Sequence, residues 1–211
     1  IGLGVPETTK VVAIAAGGSH AVALFNDGTV ASWGSSTNGQ LGSDTPSGSS
    51  YSRSTTPAAA KVDSSSALHG KTVVGIAAGM SDTLALCSDG TLAAWGYNNY
   101  GQLGNGTSTG SATPTPVAVV RDIGSALHGK TVVAMAAGSR FSAALCSDGT
   151  VATWGQSGSG ELGDGTTGDG MSRSTIPVAV KTDSSSALHG KTVVGVALGA
   201  SHALVQCQDA E

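Results

Sequence analysis

The chain has 211 residues, 32 of them glycine, with 11% charged and 4% aromatic residues and a formal net charge of −4. Glycine is about twice its usual ~7% share and charge is under half its usual ~25%, which excludes a coiled coil, while six prolines without a G-X-Y period exclude collagen and modest charge argues against disorder. Ten basic against fourteen acidic residues leave no basic surface for a nucleic-acid backbone or an anionic membrane, and no apolar run approaches the ~20 residues of a spanning helix. Neither membrane insertion nor an opening signal segment is expected.

In chain order, VVAIAAG at residues 11–17 is a β-branched and alanine run closed by glycine, which predicts a strand. HAVALFN at 20–26 predicts a second strand, and Asp27-Gly28 joins it to a third, TVASWG at 29–34. Asp-Gly between alternating apolar runs predicts a type I′ hairpin turn, whose two central residues both need φ > 0. A long polar loop containing NGQLG follows. A proline-led strand closes the unit, as at 116–120, because proline suits the first residue or outer edge of a sheet. SSSALHGK predicts one short helical turn, with serine as N-cap and Gly70 just behind it.

The chain then repeats itself. Gly17, Gly79, Gly138 and Gly199 each close a first-strand segment, at steps of 62, 59 and 61 residues. Trp33, Trp95 and Trp154 keep the same rhythm, as do Asp27-Gly28, Asp89-Gly90 and Asp148-Gly149. The predicted units run over 11–72, 73–131, 132–192 and, in part, 193–211. Cys87, Cys146 and Cys207 share one repeat position, where the first unit has Phe25. Their odd number and wide spacing argue against disulfides and metal binding, and they read as small buried apolar residues. Four short strands per ~60-residue unit predict an all-β fold, a β-propeller of four-stranded antiparallel blades with three full repeats and a half. The tryptophan ending each third strand is expected to fill the gap between neighbouring blades.

These residues resemble the regulator-of-chromosome-condensation (RCC1-type) repeat family. The resemblance is carried by VVAIAAGGSHAVALFNDGTVASWGSSTNGQLG at 11–42, VVGIAAGMSDTLALCSDGTLAAWGYNNYGQLGNG at 73–106 and VVAMAAGSRFSAALCSDGTVATWGQSGSGELGDG at 132–165. It implies a ring that usually has seven blades. Three and a half units fall short of that, so the expectation is a piece of a longer ring, with assembly with a second copy or an incomplete, open ring as the alternatives. The extra S-A-L-H-G-K linker resembles repeat arrays of large bacterial proteins. Low charge, Ser/Thr/Gly-rich loops and near-identical repeats fit a secreted or cell-surface location, which stands as an expectation. One branch of the family exchanges nucleotide on a small GTPase and binds chromatin; the complete ring and arginine-bearing extensions that it needs are not visible. A plant branch senses ultraviolet light through the tryptophan of a G-W-R-H-T motif; here that position holds Gly18, Met80, Ser139 and Ala200. A bacterial branch inhibits β-lactamase through an aromatic-rich face, and aromatics are scarce in this chain.

The residues offer no catalytic constellation. His69, His128 and His189 recur in the linker and read as structural, as do His20 and His202 beside the repeat glycine. No serine sits in a G-x-S-x-G elbow, and no glycine loop carries the Lys-Ser/Thr of a phosphate loop. GDGTTGDG at 163–170 lacks the alternating acids and terminal glutamate of a calcium loop. No enzyme activity, metal or cofactor is expected. What remains is loop surface, where propellers bind partners. Met80, Asp82, Arg140 and Phe141 break the pattern after the repeat glycine, and Arg, Met and aromatics favour interfaces. Tyr97, Asn98 and Tyr100 follow a W-G pair, and Tyr51 and Arg53 lie in the first long loop. The expected function is a non-catalytic scaffold that docks a protein, with an adhesive surface repeat or an enzyme or GTPase regulator as alternatives.

Overall fold

The computed structural model describes residues 9–166 and 172–209. Its strands form three four-stranded antiparallel sheets and one two-stranded sheet. The first blade contains β1 (Val11–Ala16), β2 (His20–Phe25), β3 (Val30–Ser35) and β4 (Arg53–Ala59), hydrogen-bonded in that order. The second contains β5 (Val73–Ala78), β6 (Asp82–Cys87), β7 (Leu92–Gly96) and β8 (Thr113–Ala118). The third contains β9 (Val132–Ala137), β10 (Phe141–Cys146), β11 (Val151–Gln156) and β12 (Arg173–Ala179). A fourth sheet pairs β13 (Lys191–Leu198) with β14 (Ala203–Asp209). The inner strands β1, β5, β9 and β13 approach one another in series, so the blades radiate from a common axis as in a propeller.

Packing between blades follows the strand period of two. Leu84 and Leu86 point forward from β6 into a core with Ala144, Cys146 and Trp154 of the third blade. Ala85 and Cys87, on the other face of β6, join Val22 and Leu24 of the first blade. The central strands β6 and β10 are therefore buried at every residue, between two neighbours. On β14 the same alternation directs Val205 and Cys207 back onto Leu145, while Leu204, at the forward position, stays 64% exposed. Cys87 and Cys146 are buried and unbridged, and burial pushes both thiols up from their ordinary range.

Three local expectations are corrected. The Asp-Gly hairpins are not type I′. Gly28 N–H bonds to Phe25 O and Phe25 N–H to Thr29 O, and among the described residues none but glycine has positive φ. This is a three-residue loop, a type I turn followed by Gly28 at φ 82°. Asp27 keeps an ordinary φ because its carboxylate accepts both the backbone N–H and the hydroxyl of Thr29, at 2.9 and 2.7 Å. The linker forms turns rather than a helical turn. In it the Ser66 hydroxyl accepts Leu68 N–H, and the Ala67 N–H leaves for Pro116 O of the following blade. The proline-led strand begins earlier than expected, at Thr113, and contains Pro114 and Pro116. It tolerates both because β8 is the outermost strand of its sheet. Of the stretch 163–170, residues 167–170 lie outside the described residues.

Candidate functional site

In an antiparallel four-stranded blade, the β1–β2 and β3–β4 loops emerge at one end and the Asp-Gly hairpins and linkers at the other. The sheet order therefore places Met80, Arg140, Tyr97, Tyr100, Tyr51 and Arg53 on one face of the arc. Backbone bonds join the inner rim of this face from blade to blade. Gly18 N–H reaches Met80 O at 3.1 Å, Met80 N–H reaches Gly138 O at 3.3 Å, and Ser139 N–H reaches Ala200 O at 3.3 Å.

The opposite face is stitched internally. Lys71 Nζ bonds Asp89 and Thr91, and Lys130 Nζ bonds Asp148 and Thr150, tying each linker to the hairpin of the blade it enters. The Lys130 ammonium holds the Asp148 carboxyl down at about 2. The linker histidines His69 and His128 place Nδ1 against backbone oxygens of Val62 and Arg121, at 2.9 and 3.2 Å. Their repeated role is to close the turn.

On the loop face, Met80, Ser81, Tyr97, Ser139 and Arg140 converge with Asn38 of the neighbouring blade around a cavity of about 280 Å³. Met80 is 56% exposed, and its sulfur accepts the Ser139 hydroxyl at 3.2 Å. The Arg140 guanidinium lies 4.7 Å from the ring centroid of Tyr100, a cation–π contact that orients it without an acid. Tyr97 and Tyr100 face each other at 6.3 Å and 56°, and the Tyr97 hydroxyl accepts the Asn99 side-chain amide at 2.7 Å.

The structure brings together Met80, Tyr97, Tyr100 and Arg140. It leaves Tyr51, 82% exposed, and Arg53 on the same face outside this notch. Three expected surface residues are buried instead: Asp82 and Asn98 at 0% and Phe141 at 1%. Asn98 pins the loop beneath Tyr97, donating to Asn105 Oδ1 and Thr107 O and accepting Leu103 N–H. Asp82 and Phe141 occupy the repeat position of His20, which faces the next blade rather than solvent.

That joint has its own chemistry. Gln40 O accepts Trp95 Nε1–H and the Thr83 hydroxyl, both at 2.9 Å. With its proton committed there, the Thr83 oxygen receives His20 Nε2–H at 2.9 Å. His20 Nδ1 is left without a partner, and burial lowers this histidine to about 4, so it is neutral at pH 7. At the next joint Gln102 O accepts Trp154 Nε1–H and the Ser142 hydroxyl, at 2.8 and 3.0 Å. Asp82 replaces the histidine there, and both its carboxyl oxygens are buried without a partner. Burial pushes its carboxyl well above the usual range. Trp95 and Trp154 are fully buried by these contacts, whereas Trp33 is half-buried.

Asn38 belongs to the loop after the first W-G pair, a candidate set by sequence, but reaches the notch only through blade packing; what the sequence pattern left out is Arg173. The latter had a signal: Ser52-Arg53-Ser54-Thr55 recurs as Ser172-Arg173-Ser174-Thr175. No cluster of three or more His, Cys, Asp or Glu suited to a metal occurs among the described residues.

Comparison with known proteins agrees with this architecture. The Arabidopsis thaliana ultraviolet-B receptor UVR8 is 33% identical over 207 residues, covering 96% of this chain and 40% of the receptor. The human E3 ubiquitin-protein ligase HERC2 is 33% identical over 203 residues, covering 95% of the chain but 4% of the ligase. The chain thus spans well under half the length of these relatives. Among solved structures, yeast Prp20p aligns over 95% of the chain and 44% of its own, with a TM-score of 0.78 and 22% identity. Human WBSCR16 aligns over 94% and 46%, with a TM-score of 0.74 and 25% identity. The profile described as the regulator of chromosome condensation (RCC1) repeat matches residues 27–86, 89–145 and 148–206, and with the strand order and the Trp–Gln joints this makes the chain a member of the RCC1 repeat family.

Proposed function

We propose that this chain is a non-catalytic docking module that binds a protein through the loop face of its blades. The observation that carries this is the notch itself. Met80, Tyr97 and Arg140, from three separate loops, converge on an open cavity, while Lys71 and Lys130 of the opposite face are engaged with aspartates. Tyrosine and arginine supply rigid contact area with little ordering cost, as at binding hot spots. The family relatives named as a receptor and a ubiquitin ligase support a role in recognition.

The test is affinity capture with crosslinking, using the wild-type chain, Tyr97→Ala/Arg140→Ala and the opposite-face control Lys10→Ala. Proteins held by the wild type and the control are expected to be lost from the double variant. Retention of every partner by the double variant overturns the assignment of this face. Capture of glycans or intact cells alone would favour the adhesive reading.

A further inference from the structure

The loop face carries a charge pattern that sorts its partners. The four ion pairs among the described residues, Lys61–Asp44, Lys71–Asp89, Lys130–Asp148 and Lys181–Asp183, are all made by lysine. Arg53, Arg140 and Arg173 are exposed, begin or precede strands at the loop face, and have no carboxylate partner among the described residues. The nearby acids are engaged elsewhere. Asp44 is drawn to Lys61, just past the far end of β4. Glu161 is buried and accepts Ser159 N–H at 2.7 Å. Asp82 is sealed between blades. Asp164 accepts the Thr166 N–H and hydroxyl. Among the described residues of a chain of net charge −4, this face therefore presents three arginines without an ion pair.

Arg140 is the best organised of these cations. The Tyr100 ring, its centroid 4.7 Å from the guanidinium carbon, holds the Arg140 head in place without engaging its N–H donors, and a guanidinium meets a carboxylate in bidentate fashion. The adjoining cavity, about 280 Å³, is below the usual 300–1,000 Å³ of small-molecule sites and suits a single side chain. Its lining combines the apolar Met80 and Tyr97 side chains with the polar Ser81, Ser139 and Asn38.

We propose, resting on the docking reading above, that this notch seats a glutamate or aspartate side chain of an extended acidic protein segment, with the carboxylate on Arg140 and a neighbouring apolar side chain on Met80 and Tyr97. Arg53 and Arg173 draw the rest of the segment across the face. A nucleic-acid phosphate is disfavoured by the chain's net negative charge.

The test is fluorescence anisotropy at low ionic strength with three labelled probes: a peptide with a central Leu-Glu-Leu-Glu segment, its Leu-Gln-Leu-Gln counterpart and single-stranded oligothymidylate. The glutamate peptide is expected to bind, and the other two to bind at least about tenfold more weakly. Arg140→Ala is expected to weaken the glutamate peptide by about tenfold or more, Arg140→Lys by less because it keeps the charge and loses only the bidentate fork, and Lys10→Ala not at all. Equal binding of the glutamine peptide, preference for the oligonucleotide, no binding of the glutamate peptide, or wild-type affinity in Arg140→Ala overturns the inference. Loss of captured partners from Tyr97→Ala/Arg140→Ala alongside such a result would leave the docking face standing and remove only its acidic preference.

Discussion

The joint between the second and third blades turns on a single carboxyl. His20 satisfies Thr83 across the first joint, but the shorter Asp82 leaves both oxygens unpartnered at the second. A buried carboxylate without a hydrogen bond is costly, so the neutral acid is the form the folded protein keeps. The folded protein then holds this proton to higher pH than the unfolded chain, whose aspartate titrates near ~3.9. Stability contributed by this group is full below that value and falls as pH rises toward the raised folded pKa. Asp82→Asn is expected to remove this slope, so that the variant gains stability relative to the parent as pH rises from 4 to 8. Urea midpoints of both proteins from pH 4 to 8 check it, and parallel curves would refute it. The burial of Asp82 had a trace in the repeats. His20, Asp82 and Phe141 precede the next blade's Thr83, Ser142 and Ala203 by repeat position, polar groups opposite hydroxyls and the ring opposite alanine. A broken repeat pattern suits exposed surface and buried joint alike, because variation alone does not distinguish a solvent contact from a joint.

At the scale of elements, strand identity was readable because apolar and small residues alternate with a period of two, but turn geometry was not. Asp-Gly is compatible with two hairpins, and the Asp27–Thr29 hydrogen bonds decide between them. The W-G glycines show a second constraint that no local pattern reveals. Gly96 has φ 110°, and a Cβ there would collide with the Ser81 carbonyl oxygen. Gly70 also has positive φ, at 67°, but open space around it. Gly70→Ala is therefore expected to cost about 1–2 kcal/mol, the strain of the left-handed region alone. Gly96→Ala is expected to cost about 3 kcal/mol or more, because the collision is with backbone. Thermal or urea denaturation of the two variants measures the difference, and equal costs would remove the close approach as the reason for the second glycine.

For the whole molecule, stability is a sum of blade and joint contributions, and the joints are unevenly supplied. β6 and β10 are buried between neighbours on both faces, whereas β1 and β14 carry exposed Ile14 and Leu204, at 78% and 64%. Amide hydrogen exchange is expected to be slowest in β6, β7, β10 and β11 and fastest in β1, β13 and β14. Uniform protection across all four sheets would show instead that the arc opens only as one unit. The sequence by itself determined the repeat, the all-β architecture, the strand count per blade and the structural role of the linker histidines, because each rests on local periodicity or on a motif copied at fixed spacing. It also placed Met80, Tyr97, Tyr100 and Arg140 among the loop residues. Only the tertiary structure decided which of those loops share a face, that Asn38 of one blade completes a notch on the next, and that Asp82, Asn98 and Phe141 are buried. Those outcomes depend on blade-to-blade distance and on which neighbour supplies a hydrogen-bond partner, quantities that arise from packing between units rather than from the order of residues within one.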